Sequence, residues 1–189
     1  SSDVCSSDLE IQSLSINENF SKPSKIYLND PTTPNLFLEK EIPKKTNLPI
    51  NSIGDFGGGF EFGTVQQQAS ACRGTVDQIL GYMIEKTPKP IKRWATCNSL
   101  TIIPRAGKDI NAYYDRSALK FFFFESNNKN IFSCDSKSVV THEFGHAFLD
   151  ILRPDIRSMQ SAEIWAFHES FGDMTAILAN LQHDELIEL

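Results

Sequence analysis

Two histidines four residues apart, with a glutamate directly after the first, are the residues of this 189-residue chain best suited to chemistry: His142-Glu143-Phe144-Gly145-His146. They lie in an apolar run from Val139 to Leu152 that reads as a helix, because Val139, Val140, Phe144, Ala147, Phe148 and Ile151 recur at helical spacing. Residues four apart share one helix face, so His142 and His146 can turn two imidazoles toward one divalent cation. Glu143 then stands beside them as a general base. Ser136 or Ser138 can cap the start of this helix, and Pro154 stops it. Gly145 inside it costs about 1 kcal/mol against Ala, which the close approach of a strand or a substrate would explain.

A catalytic zinc wants three protein donors and one open position. A third histidine six residues after His146 would complete a metzincin pattern, but position 152 is Leu. Glu163, His168 and Glu169 are the next candidates, all in a second helical stretch whose apolar positions Ile164, Phe167, Phe171, Met174, Ile177 and Leu178 keep a three-four spacing. Glu169 is the preferred ligand, because Asp173 lies one turn further on the same face. A metal-bound histidine usually gives its other N–H to a carboxylate, and Asp173 can be that acceptor. Glu163 has only apolar Phe167 at the corresponding place. His168 projects about 100° away from Glu169 and is expected at a cleft edge or on the surface.

His142-Glu-x-x-His146 followed by Glu169-x-x-x-Asp173 resembles the gluzincin group, and within it the thermolysin-like metallopeptidases. The likeness extends over about residues 75–181. Asn111-Ala112-Tyr113-Tyr114-Asp115 resembles that family's edge strand, which takes up the substrate main chain as an added strand. Leu119–Phe124 resembles the strand after it, and Asp150, one turn past His146, also has a counterpart. The resemblance implies a Zn2+ cofactor held by His142, His146 and Glu169, with Glu143 as the catalytic base. It implies a peptide or protein substrate aligned by Asn111, Ala112 and Tyr113; for Tyr113 and Tyr114, packing or lining of the cleft is the expectation ahead of an aid to the oxyanion. It also implies an extracellular or cell-envelope setting. The implied fold is α+β and zincin-like: a small mixed sheet with a substrate-binding edge strand on the metal helix, then the first helix of a second lobe.

Three features depart from the family. The stretch between His146 and Glu169 is slightly long. No residue matches the second-lobe histidine that steadies the oxyanion, and the acidic calcium-binding cluster is not evident. A catalytically inactive homologue acting as a binding module is therefore the competing expectation. An aminopeptidase of the same group would need a Gly-x-Met-Glu-Asn anchor, and none precedes His142.

The elements that position these residues read as a helix over Thr75–Lys86, strands at Leu100–Ile103, Ala112–Tyr114 and Lys120–Glu125, a turn at Asn127–Asn130 and a short return strand at Ile131–Ser133. The run Phe121–Phe124 reads as buried sheet. Short strands are expected near Lys25–Leu28 and Leu36–Glu39. Asp55–Phe60 reads as a hairpin or loop, without the Gly-Lys-Ser/Thr of a phosphate loop. Residues 1–9 resemble a translated sequencing adapter and are set aside as a non-native tail. Residues 10–74 then form a strand and loop region, 75–154 the metal-helix lobe, and 155–189 the truncated start of a helical lobe. A net charge of −6 argues against nucleic acid, and no apolar run is long enough for a membrane span. Cys72, Cys97 and Cys134 show no metal or redox spacing; one disulfide with a free thiol, or three reduced thiols, both fit.

Overall fold

In the computed structural model, which describes residues 24–27, 39–42, 46–54 and 61–184, the chain is mixed α+β. The strands are β1 (Ser24–Tyr27), β2 (Glu39–Ile42), β3 (Ile50–Ser52), β4 (Leu100–Ile103), β5 (Ala112–Tyr114), β6 (Ala118–Phe121), β7 (Phe123–Ser126) and β8 (Lys129–Phe132). The long helices are α1 (Val65–Lys86), α2 (Lys137–Leu152) and α3 (Ala162–Asn180), with single 3-10 turns at Ser133–Asp135 and Ile156–Ser158. Expected strand residues 28 and 36–38, the stretch 55–60 and the tail 1–9 lie outside the described residues.

The central sheet has the order β3-β4-β6-β5, in which β3, β4 and β6 are parallel and β5 runs antiparallel along one edge. The β5–β6 hairpin is tied at Asp115, whose Oδ1 accepts from the Ser117 N–H (3.0 Å), the Ser117 hydroxyl (2.8 Å) and the Ala118 N–H (2.8 Å). Burial pushes this carboxyl up, but Lys120 and these donors outweigh it and hold the pKa near about 2. Arg116 in the turn takes a left-handed φ of 81°. Leu100, Ile102, Leu119 and Phe121 are fully buried and form one core with Ile79 and Leu80 of α1 and Phe144 and Phe148 of α2.

Helix α1 begins at Val65, ten residues before the expected start, with Thr64 accepting from the Gln67 N–H. The residue boundary at 74 therefore falls inside a helix. Its first half is buried although it is polar, so it shows no apolar stripe to read. Gln68 there donates to Asp135 (2.8 Å) and accepts from Arg105 (2.8 Å), and further along Asp77 accepts from Thr46 N–H (3.2 Å) and its hydroxyl (2.6 Å); Ser70 Oγ is buried with no hydrogen-bond partner among the described residues.

The expected strand at Lys120–Glu125 is two strands. At Phe122 the chain leaves the central sheet: its N–H donates to Ser133 Oγ (2.9 Å) and its carbonyl accepts from the same hydroxyl (3.0 Å). β7 then pairs antiparallel with β8, through a tight turn at Asn127 and Asn128, both left-handed (φ 51° and 58°), and Phe123 also bridges in parallel to Lys108. Asparagine tolerates that backbone region. Only Phe121 of the phenylalanine run is fully buried; Phe122 to Phe124 are half-buried.

Helix α2 is capped by Ser136, whose Oγ accepts from the Val139 N–H, and ends at Leu152 before Arg153 and Pro154. Helix α3 crosses α2 on small residues. A methyl placed on Gly145 would meet the Gly172 Cα at 2.8 Å and Thr175 Oγ1 at 3.0 Å. The glycine therefore serves helix-on-helix approach rather than a strand or substrate. Gly145→Ala should gain about 1 kcal/mol of helix propensity and lose about 1–3 kcal/mol to overpacking. We expect a net destabilisation of up to about 2 kcal/mol by urea unfolding; greater stability than the wild type would show that the helices part freely. The face of α3 turned to α2 carries His168, Gly172, Thr175 and Ala179, all buried, while Phe167, Met174 and Ile177 of its apolar stripe are exposed. No described helix is long and apolar enough to cross a membrane.

Candidate metal centre

His142 and His146 sit one turn apart on α2, their rings 4.9 Å between centroids and nearly perpendicular at 85°. Glu169 reaches them from α3. Its Oε2 lies 3.3 Å from His142 Nε2, and its Oε1 lies 3.7 Å from His146 Nε2. The three donor atoms fall within 4.8 Å of one another, a group that could hold a metal ion. Donors about 2.0–2.1 Å from a tetrahedral ion stand about 3.4 Å apart; the separations of 3.3 and 3.7 Å, each to a different oxygen of Glu169, are of that size. Two imidazoles and a carboxylate are also a donor set that borderline cations accept.

The carboxylate of Asp173 stands 3.0 Å from His142 Nδ1, on the side of the ring away from Glu169. It accepts the Nδ1–H, which leaves Nε2 with its lone pair toward Glu169. Gly172, between the two carboxylates, makes room for this ring: a methyl there would lie 2.8 Å from His142 Cε1. Asp173→Asn should lower metal affinity about 10–100-fold, read by competition with a chromophoric chelator; unchanged affinity would make Asp173 a plain surface carboxylate.

Glu143 is buried, at 7% exposure, and lines two cavities that meet at His142. One, of about 190 Å³, is bounded by His146, Glu169, Trp165 and Tyr113. The other, of about 490 Å³, is bounded by Asn111, Val139, Phe124 and Asp173. Ala112 borders both, so the edge strand β5 runs along the cleft.

The residues expected to bind substrate are therefore at the cleft, with different engagements. Asn111 Oδ1 accepts from the Ala112 N–H at 2.9 Å. Tyr113 packs on Phe122 (5.6 Å between ring centroids) and lies beneath Lys120 Nζ. The Tyr114 hydroxyl is committed elsewhere: it donates to Asp150 Oδ2 at 3.2 Å, and burial, then the Asp150 charge, pushes its pKa up. Asp150 also accepts from Arg116 Nε (3.1 Å) and Nη2 (3.3 Å). This buried carboxylate locks the end of α2 to the β5–β6 hairpin and so sets the distance from metal helix to edge strand. Glu163 is exposed in the first turn of α3, outside the donor group.

His168 is not at a surface. It is 4% exposed, its ring 5.8 Å from that of His146 and 6.3 Å from Trp165, and it lines the smaller cavity. The signal that places it is the stripe His168, Gly172, Thr175, Ala179, whose small members mark the face α3 presses on α2. No model of a known protein family matches the chain, and no curated protein sequence matches it either.

Proposed function

We propose that this protein is a zinc-dependent metalloendopeptidase of zincin-like fold, related to the thermolysin-like group. The observation that carries this reading is the convergence of His142, His146 and Glu169 from two helices, with Glu143 beside them at the wall of a cleft. Zinc bound by these three would polarise the scissile carbonyl and lower the pKa of a water from 15.7 toward about 7. Glu143 takes the proton of the attacking water on its carboxylate and returns it to the leaving amine nitrogen. Asp173 holds the His142 tautomer. Strand β5, an edge strand of the described sheet, aligns an extended peptide by main-chain hydrogen bonds, and Tyr113 walls the cleft beside it.

Elemental analysis of the purified protein, paired with casein hydrolysis before and after chelation, tests this. We expect one equivalent of zinc and hydrolysis that chelator abolishes and zinc restores. Failure to take up zinc would overturn the assignment, while zinc without hydrolysis would favour the binding-module alternative.

A further inference from the structure

We propose that Cys72 and Cys134 are joined as a disulfide when the chain folds in the presence of a low-molecular-weight disulfide, stapling helix α1 to the turn that begins the metal-bearing helix α2. The two residues are 62 apart in sequence, and the Cys72 thiol donates to the Cys134 carbonyl at 3.5 Å. Both are free thiols in this structure. One turn earlier on the same face of α1, Gln68 donates to Asp135 at 2.8 Å. Two rungs of α1, Gln68 and Cys72, thus meet two consecutive residues of the Ser133–Asp135 turn, which sets the register of the seam and directs the Cys72 sulfur at residue 134.

Both cysteines are buried, at 1% and 5% exposure. The cavity they share is about 10 Å³, room for one water at most. A glutathione adduct does not fit there, nor do added oxygens. The intramolecular bond is the one oxidised form that contracts the site. Cys97, the remaining described cysteine, is half-exposed and has Asp115 and Asp150 rather than a thiol for neighbours.

The exchange balances in two steps. One cysteine thiolate attacks glutathione disulfide, breaking its S–S bond; a mixed disulfide forms and one glutathione leaves. The second cysteine thiolate then attacks the protein-side sulfur and releases the second glutathione. The protein loses two electrons and two protons, and the oxidant gains them. Burial pushes the Cys134 thiol well up once the seam is closed, so both steps belong to folding and not to the finished structure.

The test is refolding of the full chain in a glutathione disulfide/glutathione mixture or in dithiothreitol, for the wild type and for the Cys5→Ser/Cys97→Ser variant. We expect the oxidised protein to be lighter by two hydrogens, to yield a joined Cys72–Cys134 peptide, and to melt on the order of 10 °C higher. Cys72→Ala and Cys134→Ala should fold without oxidant and show no redox-dependent shift in melting. Free alkylation of both thiols after oxidative refolding, a bridge to Cys5 or Cys97, or a melting shift that persists in the single variants would each overturn the proposal.

Discussion

Glu143→Gln should leave zinc bound and lower hydrolysis about 10²–10⁴-fold. The substitution is close to isosteric, so the buried site beside His142 is kept and the donor group on α2 and α3 is untouched. What is lost is a carboxylate able to take a proton; an amide oxygen accepts a hydrogen bond but does not carry the proton to the leaving nitrogen. Steady-state hydrolysis of a fluorogenic peptide and zinc content of the same preparation separate the two effects. Retained turnover would remove Glu143 from the mechanism, and joint loss of zinc and turnover would make it part of the metal site.

Glu169→Ala should cut zinc affinity by about a hundredfold or more. If about 10–16 kcal/mol of binding is shared among four donors, each contributes about 3 kcal/mol. Removal of the carboxylate leaves two imidazoles from a single helix, short of the three protein donors of a catalytic site. Glu163→Ala serves as the control, since it removes a carboxylate from the same helix and lies outside the donor group. Chelator competition on both variants decides: if Glu163→Ala loses zinc and Glu169→Ala does not, the third ligand is wrongly chosen.

The metal helix is the part of this protein most open to reading from residues alone. Its periodicity is strong, its cap and stop are local, and a four-residue spacing places His142 and His146 on one face whatever surrounds them. Asp173 was legible for the same reason, because one helical turn relates it to Glu169. Helix α1 was half hidden, because its first turns are buried beside polar partners such as Asp135 and Arg105, and burial of polar side chains erases the amphipathic pattern. The phenylalanine run concealed a change of sheet at Phe122, since four identical residues mark no boundary while the hydrogen-bond partners change.

The sequence by itself therefore determined the shared face of His142 and His146, the neighbouring Glu143 and the two helices, all of them products of local backbone periodicity. Only the tertiary structure decided that Glu169 meets those imidazoles, with the three donor atoms within 4.8 Å of one another, because that depends on how closely Gly145 and Gly172 let two helices approach. It alone committed the Tyr114 hydroxyl to Asp150, buried His168 against His146, and brought Cys72 to Cys134. Each of these joins residues distant in the chain, and no local propensity encodes such a distance; close packing between elements sets it.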